Sequence, residues 1–63
     1  MFEIGETVKF RQWSDKEWED DTYEVIDIET SWIHFTDTYY SFTIKNLSTH
    51  EIKVVCWQQI ESI

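Results

Sequence analysis

Apolar side chains recur at every second position in short runs along this chain, and that spacing constrains its fold more than any other feature. Within residues 6–12, Val8 and Phe10 share one face while Thr7, Lys9 and Arg11 take the other. Successive side chains of a strand point to opposite faces, so the pattern predicts half-buried β-strands. Ile33 and Phe35 repeat it in residues 32–36, Tyr40, Phe42 and Ile44 in residues 39–45, and Ile52, Val54 and Cys56 in residues 51–56. Residues 22–29 are rich in β-branched and aromatic types, but their apolar set changes phase between Tyr23/Val25 and Ile26/Ile28. A strand buried on both faces would do this, and so would a β-bulge. Residues 58–63 read as a short turn or 3₁₀ element followed by a closing strand that carries Ile60. Five or six such strands at close spacing predict an all-β fold, a small and partly open barrel.

The turns between these strands have an unusual chemistry. Proline is absent and Gly5 is the sole glycine, although tight hairpins favour glycine. Asp, Asn, Ser and Thr supply the turns instead, at Thr30-Ser31, Thr36-Asp37-Thr38 and Asn46-Leu47-Ser48-Thr49. A chain of 63 residues gives one domain, residues 1–63. A domain of this size has a narrow margin of stability, on the order of 3–5 kcal/mol. Cys56 has no second cysteine to pair with, and His34 and His50 add too little for a structural zinc site. Large rings therefore supply the core, with Phe10, Phe35 and Phe42 in phase with the aliphatic faces.

One stretch breaks the alternation. Residues 13–24 hold six carboxylates and three aromatics against the single Lys16. A core excludes such a segment and a plain hairpin does not need it, so it is expected on the surface as a long acidic loop. Ser14-Asp15-Lys16-Glu17 has the form of a capping box, which would place one helical turn there.

Three stretches carry a resemblance. The opening Ile4-Gly5-Glu6-Thr7-Val8-Lys9-Phe10, the middle Tyr23-Glu24-Val25-Ile26-Asp27-Ile28 and the closing Ile60-Glu61-Ser62-Ile63 resemble the small SH3-like barrels of short bacterial and phage domains. The resemblance spans the chain. It implies a five-stranded, partly open barrel with a short 3₁₀ turn before the last strand. It also implies a binding surface formed by the first long loop and the neighbouring strand ends. The A-L-Y-D-Y run of peptide-binding eukaryotic SH3 domains is absent, so polyproline recognition does not carry over.

Charge narrows the partners. The formal net charge is −8, which opposes phosphate backbones and anionic lipid surfaces and favours a cationic partner. The same charge also serves solubility. No apolar run approaches the roughly 20 residues a membrane helix needs. With the lone cysteine and no leader pattern this predicts a cytoplasmic protein, in the host cytoplasm if phage-encoded.

Catalysis is not expected, because few polar groups can converge in a chain this small. No cofactor and no metal are expected either. The acids of residues 15–21 depart from the EF-hand loop, whose sixth position here is Asp20 where glycine is required. The expected partner-binding residues are Trp13, Asp15, Glu17, Trp18, Glu19, Asp20, Asp21, Tyr23, Trp32 and Tyr39. Tryptophan and tyrosine are enriched at interface hot spots. A ring beside a carboxylate suits an arginine or lysine side chain. The competing reading folds the tryptophans back to cap the barrel. Two function classes follow. One is a non-catalytic module that binds a basic or mixed protein surface. The other is an acidic phage or mobile-element inhibitor that occupies a nucleic-acid-binding groove of a host protein. Exposed strand edges leave homo-oligomerisation open.

Overall fold

The computed structural model describes residues 2–12, 16–34 and 37–63, and the side chains of all of these except 31–34 and 37. Trp13, Ser14, Asp15, Phe35 and Thr36 lie outside the described residues, and the side chain of Trp32 does too.

Five antiparallel strands form one open sheet: β1 (Thr7–Phe10), β2 (Thr22–His34), β3 (Asp37–Asn46), β4 (Ile52–Val55) and β5 (Ile60–Ser62). Their order across the sheet is β4-β3-β2-β1-β5. Among the described residues the one helical element is a 3₁₀ turn at Trp57–Gln59, between β4 and β5. The turn and closing strand expected near the end of the chain are both there, and Ile60 is buried.

The core follows the alternation in β1 and β3. Val8, Phe10, Phe42 and Ile44 are buried, with Tyr23, Val25, Val55 and Ile60. Phe10 and Tyr23 meet at 5.4 Å between ring centroids. Phe2 meets Phe42 edge-on at the same separation, with the ring planes 81° apart. Each such pair adds roughly 0.5–1.5 kcal/mol beyond the area it buries.

The phase change in β2 is a bulge. Val25 pairs with Ile44 and Asp27 with Thr43, which leaves Ile26 as the extra residue. Ile28 thereby returns to the core side opposite Phe42. A second register shift lies between Thr30 and Trp32. The turn expected at Thr30-Ser31 is therefore a bulge, and residues 22–34 are one strand rather than two. Of the turn expected at Thr36-Asp37-Thr38, Thr36 lies outside the described residues, and Asp37 and Thr38 belong to β3, paired with His34 and Ile33.

In β4 the expected face is reversed. Ile52 is 51% exposed and Val54 69%, while Val55 is buried. Register explains this: Lys53 lies opposite Ile44 and Val55 opposite Phe42, the two core positions of β3. Lys53 occupies a core-side position because its aliphatic stem can cover apolar surface while its ammonium stays wet. The ammonium lies 5.4 Å from the Phe10 ring centroid and 2.6 Å from Glu51 Oε1. Cys56, expected within a buried face, is half-buried and precedes the 3₁₀ turn.

Asn46 closes the β3–β4 hairpin. Its Oδ1 accepts from the backbone N–H of Ser48 at 2.7 Å and of Thr49 at 3.0 Å. His50 then takes φ 66°, a left-handed conformation that glycine usually supplies. The four-residue turn read from Asn46-Leu47-Ser48-Thr49 is present, with a histidine closing it.

Candidate functional site

The long first loop, residues 11–21, is tied to the sheet at several points. The Glu19 N–H donates to the Phe10 carbonyl at 2.8 Å. The Tyr23 hydroxyl donates to Glu19 Oε1 at 3.2 Å. Asn46 Nδ2 donates to Asp21 Oδ2 at 3.1 Å. The Leu47 N–H donates to the Thr22 carbonyl at 3.0 Å, which joins the loop's end to the β3–β4 hairpin.

These bonds divide the expected binding residues. Glu19 and Asp21 hold the loop in place. Glu17 and Asp20 are exposed and make no hydrogen bond to a described residue. Tyr23, expected in the binding surface, is only 2% exposed. Its place at an inward position of β2 puts the ring against Phe10 and leaves the hydroxyl alone to reach the loop. Burial pushes the Tyr23 hydroxyl above its ordinary value; a hydrogen bond with Asn46 opposes this, and the Glu19 carboxylate adds to it. Tyr39 is exposed on β3. Trp13 and Asp15 lie outside the described residues, and the helical turn expected there falls partly on them. Lys16 and Glu17 form a bend.

Trp18 is half-buried, and the Arg11 guanidinium carbon lies 4.8 Å from its ring centroid. The indole thus receives a cation from its own chain. Arg11 is itself held through its backbone. Its N–H donates to the Gln59 carbonyl at 2.9 Å, and its carbonyl accepts from Gln59 Nε2 at 3.4 Å. Gln59 is buried, and its Oε1 accepts from the Cys56 N–H at 3.3 Å. One glutamine side chain thereby joins the 3₁₀ turn to the start of the loop.

Between the loop and the 3₁₀ turn lies an open groove of about 750 Å³. Arg11, Lys16 and Trp18 of the loop line it together with Phe2, Trp57 and Ile60. Trp57 is 56% exposed. A large ring left half in water is the kind of side chain that interface hot spots favour. Phe2, Arg11, Lys16 and Trp57 were not among the residues expected to bind. The exposure of Trp57 had no sequence signal that sets it apart from the other tryptophans. The part played by Arg11 had none, because its partner Gln59 is 48 residues away.

Next to the groove residue Ser62, the Glu6 carboxylate accepts from the Ser62 hydroxyl and from the Glu3 N–H. These two bonds, the Ser62 hydroxyl foremost, hold the Glu6 carboxyl below its ordinary value. Among the described residues no three His, Cys, Asp or Glu side chains converge as metal ligands would, and no helix is long and apolar enough to cross a membrane.

No protein-family model matches the chain, and neither a curated protein nor a solved structure is similar to it.

Proposed function

We propose that this chain is a small SH3-like barrel that acts as a non-catalytic protein-interaction module. It binds a partner of basic or mixed surface through the loop around Trp18 and the groove beside it. The observation that carries the reading is the groove itself, lined by the half-exposed Trp57 and by Trp18 of the loop that also carries Glu17 and Asp20. The strand order, with a 3₁₀ turn leading into the strand beside β1, supports the barrel. Glu17 and Asp20 are the loop acids left for a partner's basic side chains. An acidic nucleic-acid mimic draws less support, because Glu19 and Asp21 are engaged by Tyr23 and Asn46. Residence in the cytoplasm fits this role.

The test is a selection of displayed peptides on the purified chain, followed by binding measurements with Trp57→Ala and with Glu17→Gln/Asp20→Asn. Both variants keep the native circular dichroism and weaken the selected peptides at least about tenfold, as loss of a hot-spot ring or a charge pair does. Unchanged binding in both variants would remove the reading.

A further inference from the structure

The groove differs in charge from the chain that forms it. Acids outnumber bases thirteen to five over the sequence. Yet the described lining residues include two bases, Arg11 and Lys16, against one acid, Glu61. Among the described residues the one ion pair is Lys53–Glu51. Neither groove cation forms an ion pair with a described carboxylate, although Lys16 also borders an adjoining hollow with Glu17 and Glu19.

We propose that the groove takes an extended segment of a partner protein that sets an apolar side chain between Trp18 and Trp57 and a carboxylate against Arg11 and Lys16. This rests on the module reading above and specifies its ligand: an acidic residue beside an apolar anchor, with any basic residues outside, against Glu17 and Asp20.

Three features fit that ligand. Arg11 is ordered before anything binds, its side chain over Trp18 and its backbone locked by Gln59, so little freedom is lost when a carboxylate arrives. The groove is within the size range of ligand sites, about 300–1,000 Å³, but it is open to solvent rather than enclosed, which suits a surface segment of a partner better than a buried small molecule. The surrounding negative charge rejects a polyanion such as nucleic acid, whereas a single carboxylate beside a groove cation gains locally and is opposed mainly by screened acids.

The experiment uses the full chain and short synthetic peptides that share one leucine–tyrosine anchor and differ only in its neighbours: glutamate, glutamine or lysine. Binding is followed in NMR correlation spectra through the indole N–H signals of Trp18 and Trp57 and the side-chain N–H signals of Arg11. The glutamate peptide moves all of them saturably and binds at least about tenfold more tightly than the glutamine peptide, as charge-assisted bonds to carboxylates do. The R11Q/K16Q variant lowers the glutamate peptide to the level of the glutamine peptide and leaves the latter unchanged. R11K in the same assay keeps the preference for glutamate. The inference is overturned if the lysine peptide binds best, if R11Q/K16Q retains the glutamate preference, if none of the peptides binds, or if the same signals move on raising the protein concentration alone. A lysine preference that depends on Glu17 and Asp20 would leave the module standing without this ligand. Failure of the selected peptides to depend on either Trp57 or the Glu17/Asp20 pair would remove the module itself.

Discussion

Asn46→Asp is the most telling single change. The substitution keeps the volume of the side chain and keeps an oxygen to accept from Ser48 and Thr49. It replaces only the Nδ2–H donor, which lies 3.1 Å from Asp21 Oδ2. Two carboxylate oxygens would then face each other at that distance, one of them on a residue that is 3% exposed. Losing a hydrogen bond to a charged group costs about 1.5–3 kcal/mol, and Asp21 is exposed, so its repulsion of the new charge is partly screened by water. Together these give about 2–3 kcal/mol, set against a total on the order of 3–5 kcal/mol for a domain of this size. A loss of that size lowers the melting temperature by at least about 10 °C.

Thermal and urea unfolding, followed by tryptophan fluorescence, would measure the deficit. Its pH dependence identifies its cause. The facing carboxyls share a proton once the pH falls into their raised range, so the deficit of Asn46→Asp shrinks on acidification. Asp21→Asn on its own keeps an acceptor for Asn46 Nδ2 and loses little. The double variant Asn46→Asp/Asp21→Asn exchanges donor and acceptor and recovers most of the stability. A deficit that is independent of pH and persists in the double variant would refute the reasoning, because the damage would then lie in the turn and not in the loop anchor.

Other changes test separate parts of the structure. His50→Gly relieves a left-handed backbone that costs a side-chain-bearing residue about 1–2 kcal/mol; part of that gain is offset by glycine's unfolded-state entropy, so the urea midpoint rises by an amount equivalent to about 0.5–1 kcal/mol. Val55→Ala removes buried methyl groups and costs about 1.5–2.5 kcal/mol, while Val54→Thr changes stability by less than about 0.5 kcal/mol; the reverse ranking in urea titrations would put β4 in the wrong register. Tyr23 carries an alkaline limb: the folded phenol is raised above 10.0, so its contribution is full below the unfolded value and is lost as the pH climbs through the folded one. Tyr23→Phe flattens that limb in a stability profile. Glu6 acts at the acid end, where a lowered carboxyl stabilises above the unfolded value and ceases to as the pH falls through the folded one, so Glu6→Gln flattens the acid limb.

Where alternation was strict, the fold was legible. Val8 and Phe10 in β1, and Phe42 and Ile44 in β3, sit in the core as their spacing requires. It failed where one residue could serve two environments. Ile52, Val54 and Cys56 made a better apolar face on paper than Lys53 and Val55. A lysine whose ammonium lies over the Phe10 ring fills a core-side place that a hydrophobicity pattern assigns to an aliphatic residue. Thr30-Ser31 failed for a related reason. Both residues suit turns, but Ser31 is absorbed as the unpaired residue of a bulge, and the β-branched residues on either side continue the ladder.

The candidate site was legible as a region but not in its parts. The density of acids and rings in residues 13–24 located the loop, yet composition weights each carboxylate equally. Asp21 is anchored by Asn46, 25 residues further along, and no local pattern distinguishes it from Asp20, which is free for solvent. Net charge misleads in the same way. A value of −8 describes the field at a distance, where all thirteen acids add. Within hydrogen-bond range the nearest groups dominate, since screening removes the rest over about 10 Å. In the groove those groups are Arg11 and Lys16, with Glu61. On the proposed reading, a partner would meet two influences in turn: a negative field that draws basic surfaces in from solution, and two cations at the groove. A segment carrying one acidic residue among basic ones satisfies both, and a uniformly basic segment satisfies only the first.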